Sequence, residues 1–202
     1  MANEATAVPV VPPNPDYPVR LDVDYPPRLS RLLIFVKWLL FIPHYIVLYV
    51  MAIVAYVVLF ISWFAVIITG RYPEGLFNFL VGFQRWTARV AAYLLLQTDR
   101  YPPFSLEDDP NYPVRLQIDY PPRIARWRPL VHWLLAIPVV IAAAIIGIIA
   151  FVAAFIAWFA ILFTGRYPQS LFRAVTIALR WNARANTYYY WMIERYPPFV
   201  WA

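Results

Sequence analysis

The chain has no cysteine, so disulfides, thiolate nucleophiles and cysteine-ligated metals are excluded. Histidine occurs twice, at His44 and His132, and no cluster of His, Asp or Glu surrounds either one. A metal site or proton relay needs such partners, so both are expected to be polar residues at an interface. Charge is scarce, at 14% of residues. No Gly-rich phosphate loop, nucleophile elbow or zinc signature is present. Residues 1–15 are rich in Ala, Val and Pro and lack a basic n-region, so they do not read as a signal peptide. No catalytic residue, metal or cofactor is expected, and the chain does not read as an enzyme.

Apolar residues dominate instead, at 62% of the 202 residues, with a mean hydropathy of +0.57. The run from Leu32 to Thr69 holds one charged side chain, Lys37, and the run from Leu130 to Thr164 holds none. Both exceed the ~18 apolar residues that mark a membrane-spanning candidate. Aromatics make up 19% of the chain, and Trp and Tyr favour the headgroup level of a bilayer. The net charge of +6 points first to anionic lipid headgroups and not to nucleic acid. The expectation is a cell-membrane protein, multi-pass or hairpin-inserted, with the first apolar run as an uncleaved insertion signal.

Shifted by 95 residues, the chain aligns with itself without a gap, and 43 of 88 positions are identical. Two tandem repeats, residues 17–104 and 112–199, follow from this. They are joined by an acidic linker, 105–111, and preceded by an arm, 1–16, expected to be disordered. The matches include Tyr-Pro-Val-Arg-Leu from Tyr17 and Tyr112, and Asp-Tyr-Pro-Pro-Arg from Asp24 and Asp119. They also include Thr-Gly-Arg-Tyr-Pro from Thr69 and Thr164, and Arg-Trp-x-Ala-Arg from Arg85 and Arg180. On these motifs the chain resembles, twice over, the prokaryotic membrane proteins grouped as domain of unknown function 4389. The resemblance implies a bacterial membrane location and carries no activity.

Within a unit, Val19, Leu21, Val23 and Tyr25 alternate with Arg20, Asp22 and Asp24, the period of a half-buried strand. A lone strand is unstable in water, so either the two copies' strands pair or each is an extended arm. Arg28 begins a helix that meets Pro43, and Gly70 is placed to end the apolar run. Pro73 suits the first turn of a third segment. There, Asn78, Gly82, Arg85 and Arg89 share one stripe, as in an amphipathic interfacial helix. The expected fold class is therefore an all-α membrane protein with a short β-strand opening each repeat. Long apolar helices or helical hairpins are joined in it to amphipathic interfacial helices.

Direct repeats insert alike, so each unit crosses an even number of times. In the favoured layout each apolar run folds back as a hairpin, the basic helix lies on the surface and Lys37 snorkels outward. In the other, the run crosses once and the third segment returns, which leaves Arg85 and Arg89 near mid-bilayer at ~2.5–3.5 kcal/mol each.

The candidate headgroup-contacting residues are Arg71, Arg85, Trp86 and Arg89, with their equivalents Arg166, Arg180, Trp181 and Arg184. Two readings remain for them, a phosphate clamp or a generic basic face. Asp24 with Arg28, and Asp119 with Arg123, are candidate structural ion pairs, preferred over a paired-carboxylate acid/base role. The Tyr188–Trp191 aromatic cluster reads as an interface anchor. The favoured function is a non-catalytic scaffold or accessory subunit that shapes membrane, or assembles with itself or a larger membrane complex. Its layout is analogous to that of reticulon-type shapers. The alternative is a transporter of a small molecule or lipid, with a site between the repeats.

Overall fold

The computed structural model describes residues 16–198, so the expected disordered arm lies, apart from Asp16, outside the described residues. Four helices and a two-stranded sheet follow in the order β1 (Val19–Val23), α1 (Leu33–Thr69), α2 (Glu74–Leu94), β2 (Val114–Ile118), α3 (Arg128–Thr164) and α4 (Gln169–Tyr189). The chain is mostly helical, and α1 and α3 are long and apolar enough to cross a membrane.

The strands pair with each other. They run antiparallel, with Leu21 opposite Leu116 and Val19 opposite Ile118. Val19, Leu21 and Val23 face the core as their alternation predicts, and Val114 and Leu116 join them.

The hairpin layout is not what forms. Each apolar run is one unbroken helix of 37 residues. Neither midpoint, Ala52 nor Gly147, has a chain reversal, and Pro43 and Pro138 are accommodated inside the helices. A proline removes one backbone hydrogen bond, whereas a reversal in mid-run would expose several backbone groups without a polar side chain to receive them. Helix α1 also begins later than expected, at Leu33 and not Arg28. After Pro26-Pro27, Ser30 Oγ accepts from Leu33 N at 3.3 Å. At the far ends Gly70 and Gly165 adopt φ of +70° and +69°, a region where L side chains are strained. Pro73 and Pro168 sit one residue before their helices, with extended ψ.

The repeats interlock. Strand β2 packs on α2 of the other repeat, and β1 packs on α4. Cross-repeat contacts come in matched pairs. Leu29 N donates to Gly165 O and Ile124 N to Gly70 O, both at 2.9 Å. Tyr17 Oη donates to Arg195 O and Tyr112 Oη to Arg100 O. Equivalent residues 95 apart thus exchange partners about a pseudo-twofold axis through the sheet. The start of α1 lies beside the end of α3, where Phe35 meets Trp158. The end of α1 lies beside the start of α3, where Trp63 Nε1 donates to Pro129 O. The long helices therefore run antiparallel. The sheet touches only α2 and α4 among the helices, and these in turn back onto α1 and α3. The order is sheet, inner helices, outer helices.

Candidate functional site

Polar side chains are concentrated between the sheet and the inner helices. Arg85 Nε donates to Leu116 O at 3.0 Å, and Arg180 Nε to Leu21 O at 2.8 Å. These carbonyls belong to strand residues whose side chains are buried beneath the sheet. Asp108 lies 3.6 Å from Arg85 Nε and 3.9 Å from Arg89 Nη2, and Arg89 Nη2 also donates to Glu107 O. On the other side Asp22 meets Arg180 at 3.4 Å. Arg89 and Arg184 lie over the rings of Tyr112 and Tyr17. Burial pushes the Arg180 guanidinium down to about 10, with Asp22 opposing the shift. Burial also raises the Asp22 carboxyl, and Arg180 pulls it back.

This placement corrects the basic-face reading. Arg89, Arg180 and Arg184 are 0%, 2% and 1% exposed. Trp86 and Trp181 are buried as well, and Arg85 is mostly covered. The strand of the other repeat covers the basic stripe of each inner helix, and the linker adds to the cover on α2. Gly82 is where the linker crosses: a Cβ there would stand 2.7 Å from Leu106 Cβ. The linker is therefore packed structure and not a tether.

The expected aspartate pairs also exchange partners across the sheet. Asp24 pairs with Arg115 at 2.6 Å and Asp119 with Arg20 at 2.5 Å, in place of Arg28 and Arg123. Antiparallel pairing brings those arginines beside the carboxylates, whereas Arg28 and Arg123 lie beyond the Pro-Pro turn. The two aspartates are each held by an arginine and are not assembled as an acid/base pair.

Lys37 does not snorkel. It is 1% exposed, 2.9 Å from Asp99 and 2.7 Å from the Thr98 carbonyl. His44 is likewise buried, accepts from Trp86 Nε1 at 3.2 Å and stacks on Phe104 at 4.0 Å. His132 packs against Tyr188 at 4.1 Å, so that end of the aromatic cluster is core, while Tyr189 is exposed. No group of three or more potential metal ligands occurs among the described residues. The sequence did carry a signal for the buried polar stripe. Lys37, His44 and Ser62 are spaced by 7 and 18 residues, near-whole numbers of helical turns, and all three are buried. The outward faces of α1 and α3 are the apolar ones, with Tyr49, Phe60, Ile148, Phe151 and Phe163 among the exposed side chains.

The remaining candidates, Arg71 and Arg166, are exposed, and each joins two further exposed arginines at a junction between the repeats. One hollow, of about 550 Å³, is lined by Arg71, Arg123 and Arg126 with Thr69, Gly70 and Glu194. Its counterpart, of about 470 Å³, is lined by Arg28, Arg31 and Arg166 with Thr164 and Gly165.

A family model described as Domain of unknown function (DUF4389) matches residues 31–105 and again 126–200. No curated protein and no solved structure matches the chain.

Proposed function

This chain belongs to the family described as Domain of unknown function (DUF4389), in two tandem copies, and on that premise we propose that it is a non-catalytic membrane scaffold whose long helices lie within one leaflet and bend the bilayer. The observation that carries the reading is the position of charge relative to α1 and α3. The charged sheet sits over the middle of the inner helices, and arginines stand at both ends of each long helix. If α1 and α3 crossed the bilayer, the Arg20–Asp119 and Arg115–Asp24 pairs would fall near its centre. Each ionised group there costs ~2.5–3.5 kcal/mol on insertion scales, and Asp119 is 54% exposed.

Length argues the same way. Thirty-seven residues span about 55 Å if straight, against a hydrocarbon core of about 30 Å. A crossing that kept the whole helix within the hydrocarbon would require a tilt near 57°, beyond the ~0–40° found for membrane helices. With the pseudo-twofold axis along the membrane normal, the sheet faces water and both ends of each long helix reach headgroup level. The exposed apolar faces then lie in acyl chains. Zero crossings per repeat also meets the even-number condition set by a direct repeat. A helix lying along the bilayer builds no path across it, which disfavours the transport alternative.

Material inserted in one leaflet expands that leaflet and curves the membrane. No third strand pairs with the outer edge of β1 or β2 among the described residues, and such edges let copies join side by side. Imaging of large vesicles mixed with the purified chain tests the proposal. Tubules or small highly curved vesicles are the expected result. Large smooth vesicles carrying bound protein would contradict it.

A further inference from the structure

We propose that the two three-arginine hollows at the repeat junctions are binding sites for a phosphate group, one site per junction. The proposal deepens the membrane reading and rests on it only for the source of the phosphate.

Each hollow is a composite. Arg28 and Arg31 come from the opening of the first repeat and Arg166 from the link after α3; Arg123, Arg126 and Arg71 are the reciprocal set. The Leu29–Gly165 and Ile124–Gly70 backbone bonds fix the two segments against each other. The arginines are therefore brought together by main chain, and none of them is paired with an acid among the described residues. Most other arginines of the chain have an acid or carbonyl partner, among them Arg20, Arg85, Arg89, Arg100, Arg115 and Arg128. Among the described residues, none of the six guanidinium groups in the hollows makes a hydrogen bond or ion pair; Arg71 and Arg166 bond only through their backbone, to Thr69 and Thr164.

The helix C-terminus beside each hollow carries about half a negative charge. Three guanidinium groups exceed that several-fold, so the surplus calls for an anion. Guanidinium forks match phosphate oxygens in pairs, and each hollow has room for a phosphate with its substituent. The sites are not equal. Glu194 lines the hollow of Arg71, although it is also engaged by Ala125 N and Arg128. No acid lines the hollow of Arg28; Asp99, the counterpart of Glu194, accepts from Ser30 N close by and is paired with Lys37.

The test uses the full chain in a neutral detergent, titrated with inorganic phosphate and separately with short-chain phosphatidic acid, with bound molecules counted by native mass spectrometry. Two per chain are expected. The charge-conserving triple variant Arg28→Lys, Arg31→Lys, Arg166→Lys should retain one, with binding at the altered site weakened at least about tenfold as bidentate contacts are lost. Arg173→Gln, which removes an exposed charge outside both hollows, should retain two. Binding of both probes supports the shared site. Binding of inorganic phosphate alone assigns a soluble phosphate, and binding of phosphatidic acid alone assigns a lipid headgroup. The proposal is overturned if neither probe binds, if the triple variant still binds two, or if Arg173→Gln loses a site. Flotation on vesicles of a phosphate-free glycolipid is run in parallel. Failure there would remove the membrane reading and leave the phosphate count standing.

Discussion

Arg180 shows why composition alone misleads about this chain. Its guanidinium is buried, and what it meets is a strand carbonyl and Asp22 of the other repeat. Truncation would leave Leu21 O without that donor and Asp22 without the cation that hydrogen-bonds it. Arg180→Ala should therefore cost roughly 3–5 kcal/mol, and Arg85→Ala, nearer solvent and beside an exposed Asp108, clearly less. Unfolding in neutral detergent measures both, and equal costs would contradict the account. Gly165 is a second test, because its φ is +69° and a Cβ would stand 3.4 Å from Arg31 Nε. Gly165→Ala should cost about 1–2 kcal/mol by the same measurement, and an unchanged stability would argue against the observed link geometry. The alternation of Val19, Leu21 and Val23 was legible from sequence because a strand's period is local. The partners of Asp24 and Arg180 were not, because they lie 91 and 158 residues away and no spacing rule joins them. Lys37, His44 and Ser62 stand between these cases. Their helical spacing was present in the sequence, but knowing that the shared face points inward required the position of α2.

At the scale of elements, amphipathicity was read correctly in α2 and α4 and assigned to the wrong boundary. Their basic stripe faces a strand, with the linker as well on α2, and not lipid headgroups. The physical reason is that buried arginines can be satisfied by strand carbonyls and by acids brought in by neighbouring loops, and the repeat supplies both. The helices' apolar sides meet α1 and α3 in the packed clusters of Leu80 with Leu59 and Val175 with Ala150. The linker earns a prediction of its own. Gly82→Val should displace Leu106, destabilise by about 1–3 kcal/mol through overpacking and open residues 105–111 to limited proteolysis. A linker equally resistant in the variant would contradict the packing described. Interlocking makes a further demand. Cleavage of the chain at an inserted protease site between Asp109 and Pro110 should leave two fragments that co-elute, because each strand lies on the other repeat's inner helix. Separation of the fragments without denaturant would show that the cross-repeat contacts are weak.

For the whole molecule, the account depends on an inverted distribution of polarity along one axis. Charged groups crowd the sheet side, polar residues of the long helices point inward, and the outward faces of α1 and α3 are apolar. Soluble monomers rarely expose contiguous apolar patches beyond a few hundred Å², and here such side chains run the length of two 37-residue helices. Duplication was plain in the sequence; its consequence, a pseudo-twofold axis about which the repeats exchange strands, appears only once the strands are paired. The most direct test uses the absence of native cysteine. Leu32→Cys and Ile68→Cys mark the two ends of α1, and Val50→Cys marks its middle; all three native side chains are exposed. Spin labels at these sites in membrane-bound protein report depth through accessibility to oxygen and to a water-soluble relaxant, and a membrane-impermeant thiol reagent reports the side. The three positions are about five helical turns apart and share one face, so the account predicts all three labels at similar depth within one leaflet, with both ends reachable from the same side. Ends reachable from opposite sides of the membrane would contradict it.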